Sequence, residues 1–223
     1  MTREKSLMSY LLHIDASSLT DWSVSRKVAA SFLETYEGDV VHRDLAVTPA
    51  PHLTEAGIMS WRTAPEARTP EQAAAAAVAD ELVDEFLGAS AYLFTVPMYN
   101  YSMPSVFKAW LDQVSIVGRT MHVQEGSAAG REALVVVPRG GSYGPGTPSD
   151  GLDFLLPTLE VALGSHGLGL VVTSIVPEWT LAPISPALSG FSAEYEASLA
   201  ASHERARELG AAWSEAAGDR ASA

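Results

Sequence analysis

Three short stretches bring together residue types suited to holding a ligand. The first is "DASSLTDWSVS", residues 15–25, where Ser17, Ser18, Thr20, Ser23 and Ser25 crowd hydroxyls around the start of a helical pattern. Free amides and the helix dipole at such a place favour an anion, most naturally a phosphate. Ser23 also suits plain helix capping, and the residues alone leave both roles open. The second is "VPMYNYSMP", residues 96–104. Pro97 ends strand hydrogen bonding and Asn100 favours a turn, so the amides of Met98, Tyr99, Asn100 and Tyr101 can meet the polar edge of a planar ring. The tyrosines would shape its surroundings; the alternative is an ordinary turn with aromatics packed beneath it. The third is "PRGGSYGPG", residues 138–146. Gly140 and Gly141 allow close backbone approach, and Arg139 and Arg26 are the nearby cations. Neither G-x-G-x-x-G nor G-x-x-x-x-G-K-[ST] occurs, so the two commonest nucleotide fingerprints are absent.

Positioning these stretches requires strands. "SYLLHI", "DVVHRDL", "AYLFTVP", "EALVVVP" and "LGLVVTSIVP" are short, nearly continuous apolar runs, as expected of a parallel sheet covered on both faces. Between them lie helical stripes. One is Val24, Val28, Ala29, Phe32, Leu33 and Tyr36; another is Phe107, Trp110, Leu111 and Val114. Thr69 and Pro70 start a further helix that Gly88 ends, and two more are expected at about 154–163 and 193–213. Strands alternating with helices predict an α/β, doubly wound, five-stranded parallel sheet in one domain over residues 1–213. Residues 214–223, "SEAAGDRASA", are expected to fray, and 45–68 reads as a long irregular insertion. Each ligand-suited stretch then follows a strand, where open α/β sheets bind ligands.

The chain has 223 residues, enough for one domain with a full core. No apolar run approaches the ~20 residues of a membrane helix. The net charge of −13 leaves no basic stripe for nucleic acid. It also means that an anionic ligand must be held by amides and hydroxyls. The absence of cysteine excludes disulfides and thiolate chemistry and fits a cytoplasmic protein.

The residues "SSLTDWSVS", "PMYNYSMPSVFKAWLD" and "RGG" resemble the FMN-dependent NADH-azoreductases, also described as NADH:quinone oxidoreductases, of flavodoxin-like fold. The resemblance covers nearly the whole chain. It implies that Ser17, Ser23, Val24 and Ser25 hold the FMN phosphate. Pro97, Met98, Tyr99, Asn100 and Tyr101 would line the isoalloxazine, with Pro138, Arg139, Gly140 and Gly141 at its other polar edge. It further implies ping-pong transfer of two electrons from NADH or NADPH, through FMN, to a quinone or azo compound, with no side-chain nucleophile. A homodimer is implied too, and the Trp110 stripe would be an interface element. The chain departs from the pattern at Pro138, which has no amide proton. It departs again at Met121, Ser165 and His166, where many members carry aromatics, and this makes His166 a candidate residue on the acceptor side.

Other functions remain open on the residues alone. A specialised biosynthetic reductase with another acceptor fits the altered aromatics, and a flavodoxin-type electron carrier fits the acidity. A serine hydrolase using His13, His122 or His166 lacks a G-x-S-x-G elbow. No metal site is assigned, because His42, His52, His122 and His166 show no i, i+4 pairing.

Overall fold

The five apolar runs form the strands β1 (Leu11–Asp15), β2 (Val40–Asp44), β3 (Ala91–Thr95), β4 (Glu132–Val136) and β5 (Val171–Ile175) in a computed structural model that describes residues 10–123 and 127–222. All pairings are parallel and the spatial order is β2-β1-β3-β4-β5. The chain therefore moves one way from β1 to β2 and the other way from β3 onward. A crevice opens beyond the carboxyl ends of β1 and β3.

Alternation along the pleat sorts the strand side chains between two cores. Leu11, Leu93, Leu134 and Val136 pack against Val28, Ala29 and Phe32 of α1 (Val24–Leu33) and Ala206 and Leu209 of α6 (Ser192–Ser222). Leu12, Ile14, Tyr92, Phe94 and Val135 point the other way. They meet α3 (Pro70–Gly88), α4 (Ser105–Val114) and α5 (Leu156–Leu163). The strands β2 and β5 lie at the edges, which is why apolar Val40 and Val171 are exposed.

The helix starts follow from capping chemistry. Thr69 and Gln72 form a reciprocal capping box on α3, with Pro70 in its first turn. Asp153 accepts from the amides of Leu155 and Leu156 at the start of α5.

Three expectations change. Residues 45–68 are not wholly irregular: they contain α2 (Glu55–Ser60), capped by Thr54, and a 3-10 turn at Pro65–Ala67. Residues 214–222, expected to fray, continue α6; Ser214 donates to Thr35 O and accepts from the Glu37 amide. The stripe Phe107, Trp110 and Val114 is fully buried within the chain. Trp110 packs among Phe86, Phe94 and Phe107 with ring centroids 5.5–6.2 Å away. Helical periodicity identified an apolar face, and α3 and β3 cover it. No helix among the described residues is long and apolar enough to cross a membrane.

Candidate functional site

The three stretches meet beyond the carboxyl ends of β1, β3 and β4. In the first, Ser23 is the N-cap of α1: its Oγ accepts from the Arg26 amide at 3.3 Å. It also donates to Ser17 Oγ at 2.9 Å and lies 3.1 Å from Ser25 Oγ. The two roles left open by the sequence therefore coincide. The cap satisfies only the Arg26 amide, and those of Val24 and Ser25 have no partner among the described residues. Two orphan helix amides beside three clustered hydroxyls make a cradle for an anion.

Beneath this loop lies a charged network. Arg26 donates to both carboxylate oxygens of Asp44, at 2.7 and 2.9 Å, to Asp15 Oδ2 at 2.9 Å and to Ser17 O at 2.9 Å. His42 Nε2 lies 2.8 Å from Asp15 Oδ2, and the Thr95 hydroxyl donates to Oδ1. Burial pushes the Asp15 carboxyl up, but its contacts with His13, His42 and Thr95 outweigh burial and hold it far below the usual carboxylate range. The hydrogen bond to Asp15 raises His42 above the usual imidazole value, and the bond from Arg26 lowers Asp44. Arg26 thus anchors the loop and is not free to meet a ligand.

The second stretch is a tight turn. Tyr99 and Ser102 exchange both backbone hydrogen bonds, at 2.9 and 3.1 Å. The central residues Asn100 and Tyr101 have φ of 50° and 68°, as a two-residue turn of this hand requires. Asn tolerates that region; Tyr pays for it in strain, which points to function. The turn uses the Tyr99 amide, and the Met98 amide donates to Pro138 O at 3.0 Å. The amides available to a ring edge are therefore those of Asn100 and Tyr101 alone, which have no partner among the described residues. Tyr99 Oη accepts from the Ser18 amide at 3.2 Å and joins the first two stretches.

In the third stretch, Gly140 and Gly141 accept from Leu181 and Trp179 through their carbonyls, and their amides are unpartnered among the described residues. A Cβ on Gly140 would sit 2.7 Å from Leu181 Cδ1, whereas one on Gly141 would meet only Trp179, at 4.0 Å. A side chain at 140 would displace the exposed tip of Leu181, whereas the space over Gly141 is open. Arg139 is buried and paired with Asp153 and Glu178, so its charge is spent inside the protein.

A family model described as the flavodoxin-like fold matches residues 9–199. The chain is 42% identical over 215 residues to an FMN-dependent NADH:quinone oxidoreductase of Parafrankia sp. (strain EAN1pec), covering 92% of this chain and 100% of that protein. It is 43% identical over 205 residues to a Streptomyces coelicolor protein of the same name, covering 89% and 92%. The chain belongs to the FMN-dependent NADH:quinone oxidoreductase family. Among solved structures, an azoreductase from Bacillus anthracis str. Sterne superposes with a TM-score of 0.77 at 23% identity, covering 92% of this chain and 99% of that one. An FMN-dependent NADH-azoreductase from Bacillus anthracis str. Ames Ancestor, in complex with FMN, gives 0.72 at 21% identity, covering 91% and 100%. At these identities the likeness shows the flavodoxin-like fold shared with this oxidoreductase family.

Within this family member, sequence reasoning missed Tyr143, although it lies in the glycine stretch. Its ring makes an edge contact with Tyr101 at 6.4 Å and lies under the Arg139 guanidinium at 5.7 Å. It also missed the support from Asp15, Arg26 and Asp44; an acidic residue closing a buried strand was the available signal. His166 is not brought to the crevice. It sits in the exposed turn before β5, at the amino ends of the strands, with Met121 and Ser165 at the same end. About 17 Å of strand separates that end from the three loops.

Proposed function

We propose that this protein is an FMN-dependent oxidoreductase that passes two electrons from NADH to a quinone or azo compound. The observation that supports this best is the paired unpartnered amides on each of the three stretches, Val24 with Ser25, Asn100 with Tyr101, and Gly140 with Gly141. The donor set fits FMN: a hydroxyl-rich helix start for a terminal phosphate, and turn amides for a ring edge rich in acceptors. In this reading Ser17, Ser23, Val24 and Ser25 hold the phosphate without a free cation. Asn100, Tyr101, Gly140 and Gly141 direct N–H groups at the ring, and Pro97, Met98, Tyr99 and Pro138 fix those loops in place. Arg139 belongs to the supporting structure through Asp153 and Glu178. FMN, when bound, supplies the two-electron chemistry, so the chain needs no nucleophile of its own.

A homodimer belongs to this reading, and we place the activity in the cytoplasm. The Trp110 stripe is buried within the chain and gives association no support. The support is the exposed apolar rim at the crevice end, where Trp22 is 80%, Phe154 56% and Ile184 71% exposed. His166 would reach a flavin only from a second copy. The test is steady-state NADH oxidation by FMN-loaded protein with a simple quinone and with an azo dye, alongside sedimentation of the same sample. Sustained turnover by a dimer is expected; a monomer that binds FMN but takes no electrons from NADH would leave a carrier.

A further inference from the structure

The sheet register brings together a second set of donors, beneath the serine loop and away from its free amides. His13 on β1 pairs with His42 on β2, and Asp15 stands two residues beyond His13 on the same face. One ring nitrogen of His13, one of His42 and a carboxylate oxygen of Asp15 all lie within 4.8 Å of one another. His13 Nε2 is 3.6 Å from Asp15 Oδ1, and the two imidazole rings lie tilted by 32° with centroids 4.7 Å apart. We propose that His13, Asp15 and His42 form a site for a divalent transition metal of the zinc, cobalt and nickel class.

A second observation points to a ligand. His13 is only 6% exposed, and its Nε2 makes no hydrogen bond. A buried ring nitrogen beyond hydrogen-bond distance of any partner, next to a carboxylate and a second imidazole, offers its lone pair to a cation once its proton lies on Nδ1. His13 is also fixed in place by the strand on either side of it.

The competing cation is Arg26, which shares Asp15 Oδ2 with His42. Arg26 keeps both bonds to Asp44 and its bond to Ser17 O if Asp15 turns to a metal. The Thr95 hydroxyl on Oδ1 then serves as the outer partner that orients a ligating carboxylate. With both imidazoles neutral, as ligation requires, Asp15 and Asp44 outnumber Arg26 by one negative charge, which a cation offsets in place of the proton on His42. Metal bonds of about 2.0–2.1 Å in a tetrahedral shell require donors to draw to about 3.4 Å from each other. His42 can supply that movement because its side chain is half exposed on an edge strand. Its ring would place the proton on Nδ1 and give Nε2 to the metal. Two imidazoles and one carboxylate select this class over magnesium or calcium, and water completes the coordination on the open side of His42.

The test is equilibrium dialysis of Zn2+ against the chelator-stripped full chain, followed by a Co2+ difference spectrum. One Zn2+ per chain is expected, displaced by Ni2+ and unaffected by millimolar Mg2+, with a Co2+ d–d band. His42→Phe, on the exposed edge, should lose at least tenfold in Zn2+ affinity. No stoichiometric binding, or equal affinity in His42→Phe, overturns the proposal, because exposed histidines elsewhere would then account for the metal. The imidazole 15N spectrum of the unsubstituted protein decides independently of any variant. A Zn2+-dependent shift of His13 Nε2 supports the site, and an unmoved His13 signal refutes it.

Discussion

The two loops that flank the crevice are held in different ways. The serine loop after β1 rests on side chains: Arg26 ties Asp15, Asp44 and Ser17 O together beneath it. The turn after β3 rests on backbone, through the Tyr99–Ser102 pair and the Met98–Pro138 bond, with left-handed Asn100 and Tyr101 at its tip. Charge holds the serine loop, and pairing with Asp15 and Asp44 keeps Arg26 from being drawn outward. Chain geometry holds the tyrosine turn and aims the amides of Asn100 and Tyr101. The first loop should therefore respond to charge deletion and pH, and the second to glycine substitution.

The largest effect is expected at Arg26. Arg26→Leu leaves Asp15 and Asp44 facing each other and partly buried, and should cost about 3–5 kcal/mol in urea unfolding. FMN affinity should fall with it, since Ser17 loses its anchor. A loss below about 1 kcal/mol would mean that the network only decorates the loop. Next is the double substitution Ser23→Ala and Ser25→Ala, which should weaken FMN by roughly 1–3 kcal/mol while the fold persists. Unaltered affinity in the folded variant would leave these serines as caps only.

The pH dependence distinguishes the loops without mutation. Asp15 is depressed, so its contribution is present above its unfolded value and is lost as pH falls through and below that range. His42 is raised, so its contribution is present below its unfolded value and is lost as pH rises through the folded one. In chelator, their joint stabilisation should be greatest between about 4 and 6.5. His42→Phe should flatten stability on the alkaline side of that window, measured by urea midpoints. The smallest effect is at the backbone turn. Tyr101→Gly relieves left-handed strain and should stabilise by about 1 kcal/mol, less what the Tyr143 edge contact contributed. A clear destabilisation would show that the tyrosine ring, and not the turn, holds this loop.

Much of this was legible in the sequence. The apolar runs marked all five strands, and the hydroxyls, turn residues and glycines marked the loops beyond three of them. What was not legible depended on pairing in space. Which amides remain free is decided by the Tyr99–Ser102 turn and by Met98 meeting Pro138, and neither partner can be read from spacing. Trp110 lies on a helical stripe, but only packing shows that α3 and β3 cover it. Helical i, i+4 spacing does not connect His13, Asp15 and His42. His13 and Asp15 obey the strand rule of i, i+2, and His42 joins them only once β2 is known to lie beside β1 in register. The separation of His166 from the crevice of its own chain follows from topology. Residues before a parallel strand lie at the opposite end of the sheet from residues after it.

The central claim is that the serine loop, with its two orphan helix amides and no free arginine, binds the phosphate of FMN. Titration of flavin-free protein with FMN and with riboflavin tests it most directly. FMN should bind at least tenfold more tightly, a difference of about 1.4 kcal/mol or more, and the advantage should shrink in the Ser23→Ala, Ser25→Ala variant. Equal affinity for FMN and riboflavin in the unsubstituted protein would contradict the account.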